Sequence, residues 1–164
     1  MYILSSEETE LAKKYLEEAI TVALKATCTR SRCGSIIVKD SEIIGSWYNS
    51  PPHDLESQRR CNLNKDDYNK KVTDKTCCVH AEQRAIMDAL RKNPDKIKGS
   101  RLYFARIDDE WNIKFSWEPY CTICSKMSLD VGIAEFMLYR KEWMCIFNTE
   151  EYNDLSYKYN ELNS

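Results

Sequence analysis

The sequence predicts a single α/β domain, and three observations carry that expectation. Apolar residues at helical spacing alternate along the chain with short β-branched or aromatic runs, the pattern of helices laid against a sheet. A length of 164 residues is enough for one domain with a sizeable core. Hydrophobic residues at 43% and charged residues at 30% match an ordinary soluble composition, with no internal repeat or low-complexity tract. The domain is expected to span residues 1–164, with a cysteine-containing insertion at about 51–79.

Residues 6–26 read as the first helix. Ser6 is the expected N-cap, with Glu7, Glu8 and Glu10 near the positive end of the dipole. Leu11, Tyr15, Ala19, Val22 and Ala26 fall near one stripe. Residues 28–32 form a polar, basic loop. The runs 35–39 and 43–48, joined by Lys39-Asp40-Ser41-Glu42, predict a hairpin, and Pro51-Pro52 ends its second strand. From there to Thr76 no period is visible. An aperiodic loop of this length inside a domain is functional, disordered or pinned, and metal ligation by its cysteines would pin it.

Residues 80–92 predict a second helix, with Ala81, Ala85, Ile86, Ala89 and Leu90 facing inward and Asn93-Pro94 ending it. A strand over 102–107 leads to a turn at Asp108-Asp109-Glu110, and 111–117 is a further strand or an extended approach. A helix is expected from about 121 to 130, stopping near Gly132. Strands follow at 133–139 and 143–147. Thr149 caps a last helix to about residue 159, with Glu150 and Glu151 in its first turn.

The net charge of −2 and pI of about 5.8 lack the basic balance of a protein that lives on phosphate backbones. A nucleic-acid partner is therefore not expected. No stretch approaches the roughly 20 apolar residues of a membrane span, so no membrane partner is expected either. Met1 to Glu10 has neither the basic segment nor the apolar run of a signal peptide. The expected compartment is the cytoplasm, where the eight cysteines read as metal ligands or buried thiols before disulfides.

His80-Ala81-Glu82, followed by Cys121-Thr122-Ile123-Cys124, offers one imidazole and two thiolates to a zinc ion. Three protein ligands leave the fourth position for water, and a nearby carboxylate that is not a ligand moves protons to and from it. The two groups open two expected helices. Helix N-termini meeting at one end of a sheet would gather all three donors and favour thiolate over thiol. A purely structural zinc would need a fourth protein ligand and give Glu82 no role.

These residues resemble the zinc-dependent cytidine and deoxycytidylate deaminase superfamily, whose signature is His-x-Glu followed by Pro-Cys-x-x-Cys. The resemblance is closest to deoxycytidylate deaminases. It extends to Gly34-Ser35-Ile36-Ile37-Val38-Lys39-Asp40, to the stretch from Ile43 through Trp47, Asn49 and Pro52, and to Gln83-Arg84-Ala85-Ile86. It covers roughly residues 6–140. It implies a three-layer α/β/α fold around a mixed sheet of about five strands. It implies hydrolysis of a cytosine nucleotide, dCMP to dUMP and ammonia, with a catalytic zinc on His80, Cys121 and Cys124 and Glu82 carrying protons. Asn49 matches the residue that bonds the sugar hydroxyl. Arg30 and Arg32 lie in the loop that approaches the phosphate, and Ala81, Trp117, Pro119 and Tyr120 fall at the base site.

One departure is Pro119-Tyr120-Cys121, where the family has proline directly before cysteine. Some relatives hold a second, structural zinc. Here Cys28 and Cys61, with Cys77 or Cys78 or with His53, stand at comparable places; the alternative is buried thiols and a surface histidine. Cys33 and Cys145 read as core residues. The resemblance also implies a homo-oligomer. Other readings stay open: a deaminase of another free base or nucleoside, or of tRNA adenosine, and a zinc-stabilised binding or regulatory module without catalysis. The presence of Glu82 speaks against that last one.

Overall fold

In the computed structural model, which describes residues 1–141 and 143–159, a seven-stranded sheet lies between helices. Its order runs from β1 (Tyr2–Ile3) through β7 (Trp143–Asn148), β6 (Glu135–Arg140), β4 (Arg101–Ile107) and β2 (Arg32–Lys39) to β3 (Glu42–Tyr48). The short β5 (Ile113–Lys114) adds to the end of β4. Five strands are the expected ones, the two-residue β5 falls within the strand or extended approach expected over 111–117, and β1, also two residues, is an addition. β4 and β6 pair in parallel and the other pairs are antiparallel. That single parallel pair requires a crossover, and α3 (Thr122–Asp130) lies on it.

Helix α1 (Ser6–Ala23) covers β2 and β4 on one face. Helix α2 (Ala81–Lys92) covers β3 and β2, and α4 (Thr149–Tyr157) packs on β7 and β6. The three layers of the sequence reading are present.

The helix ends correct that reading in detail. Ser5, not Ser6, caps α1: its hydroxyl accepts from the Glu8 backbone N–H, and the Glu8 carboxylate accepts from the Ser5 N–H at 3.2 Å. This reciprocal pair satisfies two of the helix's unpaired donors. The buried stripe is Ala12, Tyr15, Leu16, Ala19 and Ala23, while Leu11 is 49% exposed and the helix stops three residues before Ala26. Likewise Leu90, expected inside, is 42% exposed. Asn148, not Thr149, caps α4, its side chain accepting from the Glu150 N–H at 2.9 Å. Thr149 is buried and donates to the Ile133 carbonyl at 2.7 Å.

Two glycines set how closely the layers approach. A Cβ on Gly34 would stand 2.3 Å from the Ala19 carbonyl and 2.5 Å from the Ala23 nitrogen of α1. A Cβ on Gly45 would stand 2.6 Å from the Ala85 carbonyl of α2. The alanines facing them are part of the same device: small residues on both sides let backbone meet backbone. Gly34→Ala is expected to cost about 2–3 kcal/mol, because backbone cannot step aside as a side chain can. For a chain of this size that lowers the thermal midpoint by roughly 5–10 °C; a midpoint within 1 °C of wild type, about the effect of a neutral surface change, would refute the close approach.

The hairpin turn is Asp40-Ser41, both at positive φ (48° and 64°), the pairing whose twist suits a two-residue hairpin. The insertion holds three short 3₁₀ turns (Pro52–Asp54, Glu56–Gln58 and Lys65–Asp67) and is otherwise irregular. It is tied to the body by the Ser50–Val79 bridge, by Arg59 donating to the Thr27 carbonyl and by Arg30 donating to the Leu63 carbonyl, both at 2.7 Å. Among the described residues no helix is long and apolar enough to cross a membrane.

Candidate active site

Helices α2 and α3 begin at the same end of the sheet. His80 is the N-cap of α2, and its backbone N–H donates to the Gln83 side chain at 3.0 Å, which fixes the entry of the chain. Cys121 is the N-cap of α3, its sulfur accepting from the Cys124 N–H at 3.4 Å. Nδ1 of His80 lies 3.3 Å from Sγ of Cys121 and 3.2 Å from Sγ of Cys124, and the two sulfurs are 3.1 Å apart. An ion at zinc's usual 2.0–2.3 Å from tetrahedral ligands needs its donors about 3.5–3.8 Å apart. A few tenths of an ångström of spreading would therefore admit zinc.

The electrostatics of the donors also fit a metal. The Cys121 thiol is pushed down to about 4, first by the hydrogen bond from Cys124 and then by His80, against burial. Burial alone would depress the His80 imidazolium, but contact with Cys121 and the charge of Glu82 raise it to about 9. Cys124 is held well up by the neighbouring thiolate and by burial. At neutral pH this leaves Cys121 a thiolate, with one proton on Cys124 and one on the His80 imidazolium, inside a triangle of metal-ligand atoms. A dipositive ion would displace both protons and leave two thiolates and a neutral imidazole.

Glu82, on the first turn of α2, is 7% exposed. Burial raises its carboxyl above the usual range, opposed by the adjacent His80 charge. Glu82 and His80 line a cavity of about 280 Å³ together with Asn49, Phe104, Trp117, Tyr120 and Arg30. Three donors are gathered, a carboxyl stands beside them and an open cavity faces both, which is the arrangement of a hydrolytic site rather than a closed structural one.

The other expected contacts divide. Asn49 is buried at the cavity wall, but its amide first serves the fold: Oδ1 accepts from the Cys33 N–H at 2.9 Å and Nδ2 donates to the Ser31 carbonyl at 2.8 Å. One amide hydrogen and one lone pair remain. Trp117 and Tyr120 meet edge to face at 5.5 Å, and Tyr120 meets Tyr159 at 5.7 Å. Tyr120 is half exposed, so the extra residue after buried Pro119 bulges outward without separating the two cysteine sulfurs. Ser116 donates to the Tyr139 carbonyl at 2.7 Å and Glu118 pairs with Arg140, which ties this wall to β6. Ala81 is fully buried beneath the start of α2.

Arg30 reaches the cavity rim, whereas Arg32 does not line the cavity: its guanidinium lies over the Trp111 ring, 4.3 Å from the centroid. Strand alternation explains this, since Arg32 and Cys33 point to opposite faces. Phe104, in the middle of β4, and Ser31 line the cavity and were not singled out from the sequence. An apolar residue in a strand carries no mark of standing beside a site.

Beside the cleft, the sulfurs of Cys28, Cys61 and Cys78 all lie within 4.8 Å of one another. Cys77 joins at the edge, 3.3 Å from Cys61, and accepts the Arg60 N–H at 2.8 Å. Cys28 is lowered to about 5, chiefly by the Cys78 hydrogen bond, while Cys78 is raised by it. Of the alternatives offered by sequence, Cys78 enters the triad and His53 does not. His53 sits in a turn at φ 54° and lines a separate cavity with Trp47, Arg84 and Met87 on the outer side of α2. Cys33 and Cys145 are buried in the core as expected.

Residues 9–140 match the sequence model of the cytidine and deoxycytidylate deaminase zinc-binding region. The chain is 29% identical over 135 residues to the deoxycytidylate deaminase of Mycobacterium phage D29, covering 78% of this chain and 92% of that one. Its fold is similar to that of the dCMP deaminase from cyanophage S-TIM5, solved in complex with dCMP and dUMP, with a TM-score of 0.55, 25% identity and 81% of each chain covered. It is also similar in fold to the cytidine deaminase of Burkholderia pseudomallei, with a TM-score of 0.56 and 15% identity over 85% of this chain and 94% of that one.

Proposed function

We propose that this chain, which belongs to the cytidine and deoxycytidylate deaminase family and is a hydrolytic deaminase, acts on the free nucleotide deoxycytidylate, giving deoxyuridylate and ammonia. The observation that carries the chemistry is the buried Glu82 carboxyl sharing one cavity with His80, whose Nδ1 is gathered with the Cys121 and Cys124 sulfurs. The choice of nucleotide is supported by the phage D29 relative, most of which this chain covers, and by the dCMP and dUMP in the S-TIM5 structure.

Zinc held by Nδ1 of His80 and the sulfurs of Cys121 and Cys124 would supply the Lewis acidity that makes water a nucleophile near neutral pH. The protein's own residues handle the protons. Net hydrolysis forms a C4–O bond and breaks the C4–N4 bond, while one water proton goes to ring N3 and the other to the departing amine. Glu82 is the group placed to accept and return both. Its burial raises the carboxyl's affinity for a proton, which suits a residue that must hold one between steps. Asn49's remaining hydrogen and lone pair suit a sugar hydroxyl, and Phe104, Trp117 and Tyr120 wall the base. Cys28, Cys61 and Cys78, with Cys77 as the adjacent fourth donor, are the residues we assign to a second, structural zinc; four thiolates close a tetrahedral site.

The test is the ultraviolet change on adding dCMP, CMP, deoxycytidine, cytosine or guanine to zinc-loaded protein. Deoxycytidylate is expected to give the highest kcat/KM. Turnover of guanine or cytosine in preference to it would overturn the substrate, and no turnover of any would overturn the activity.

A further inference from the structure

Four side chains from three separate parts of the chain form one row beside the cleft. Trp117 and Tyr120, on the approach to α3, line the cavity that holds Glu82. Arg106, near the end of β4, and Tyr159, just past α4, do not line it. Each instead meets one of the two that do. The Arg106 guanidinium lies over the Trp117 ring, 3.5 Å from its centroid. Trp117 meets Tyr120 edge to face at 5.5 Å, and Tyr120 meets Tyr159 at 5.7 Å.

The backbone ties of this segment do not set its rings. The Ser116 N–H donates to the Tyr139 carbonyl and Glu118 pairs with Arg140, so the chain on either side of Trp117 is anchored to β6. Those ties leave the two side-chain torsions of the indole to be fixed by its neighbours. Among the described residues its directed contacts are Arg106 on the ring and Tyr120 at the edge.

Arg106 is unfavourably placed for any other purpose. It sits in register with Lys114 across the antiparallel β4–β5 pair, where like charges directly opposite are destabilising. Its guanidinium makes no ion pair among the described residues. The indole is its compensating partner, since a planar guanidinium stacks on an aromatic face and its charge is attracted there without an anion.

We infer that Arg106 and Tyr159 are positioning residues: they hold Trp117 and Tyr120 in the orientation that walls the base before substrate arrives. The identity of the base rests on the deaminase reading; the ring contacts do not. A wall ordered in advance relieves binding of the entropy of fixing two rings. A wall that meets ground state and transition state alike shows its loss in KM, with kcat little changed. The segment after α4 thus acts on the site without touching the cavity.

Arg106→Leu keeps bulk and removes the stacked charge. It is expected to raise KM for deoxycytidylate about three- to tenfold and to weaken deoxyuridylate binding in calorimetry by the same factor, with kcat within about twofold of wild type. Arg106→Lys, which keeps the charge without the planar stack, should recover part of that loss. Tyr159→Ala is expected to raise KM about threefold, and it stays interpretable should Arg106→Leu fold poorly, because Tyr159 lies beyond the last helix. Double-mutant cycles test the route: Arg106→Leu should add nothing in Trp117→Leu protein, nor Tyr159→Ala in Tyr120→Ala protein. Fluorine NMR of protein carrying fluorotryptophan or fluorotyrosine reads the rings without substrate. The line missing from Trp117→Phe should shift in Arg106→Leu, and the line missing from Tyr120→Phe should shift in Tyr159→Ala. For either residue, a wild-type KM with an unmoved ring line overturns its role, as does an effect on KM undiminished in the paired background. Failure of the deaminase reading would show separately, as wild-type protein without turnover or deoxyuridylate binding; the ring lines then uphold the positioning by moving or overturn it by staying.

Discussion

Glu82→Gln is expected to lower kcat on deoxycytidylate by about a thousandfold while KM and metal content stay near wild type. A positioned acid–base group contributes about 10²–10⁴ in rate, and Glu82 is asked to serve two proton transfers in one turnover. Glutamine keeps the shape and burial of the side chain but neither accepts nor returns a proton at neutral pH. The donors His80, Cys121 and Cys124 touch one another at 3.1–3.3 Å, so their grip on a metal does not depend on the carboxyl. Steady-state kinetics with metal counting on the same sample decides the point. A variant with more than a tenth of wild-type kcat would remove Glu82 from the proton path. Lost activity accompanied by lost metal would make its role structural.

The gathering of His80, Cys121 and Cys124 with Glu82 nearby was legible because its signals are local. His80 and Glu82 open one helix and Cys121 and Cys124 open another, and a short spacing on a first turn fixes which side chains share a point. The Asp40-Ser41 hairpin was legible for the same reason. What the sequence hid is non-local. Tyr2 pairs with Ile146 across the whole chain, and no periodicity in two residues announces an edge strand. The cap shift from Ser6 to Ser5 turns on which of two adjacent serines forms the reciprocal pair with Glu8. Arg30 and Arg32 look equivalent in a basic loop, yet β2 begins at Arg32 and pleating sends it away from the cleft. His53 resembled a ligand by composition, but its turn carries it to the outer side of α2 while Cys78, fixed by the Ser50–Val79 bridge nearby, enters the thiol triad. Gly34 and Gly45 are legible only once the alanines they face are known.

Cys61→Ser is expected to reduce the metal content from two zinc ions per chain to one and to open the insertion to proteolysis. Little else orders this segment. Its three turns are single 3₁₀ pieces. Its side-chain ties to the body among the described residues are a few polar contacts: Arg30 and Arg59 to carbonyls across the loop, and, at its start, Arg84 to the Pro51 carbonyl and to Asp54, and Tyr48 to Asp54. Cys61 is 2% exposed in the middle of an otherwise exposed stretch, so the deep anchor at the centre of the insertion is a sulfur. Structural zinc in small peptides is worth about 10–16 kcal/mol of apparent binding free energy, which exceeds what these few polar contacts contribute together. Removing one of four thiolates should release the ion at modest chelator concentrations. Trypsin would then cut at the exposed Lys65, Lys70 and Lys71, which the metal-bound loop protects. Cys145→Ser, in the core away from both clusters, is the matching control and should keep both ions. Because loop 28–32 and the cluster border the same cleft, Cys61→Ser should also raise KM more than it lowers kcat, the reverse of Glu82→Gln. Wild-type protein that holds a single zinc, with the insertion equally protected in Cys61→Ser, would show that these thiols pack without a metal.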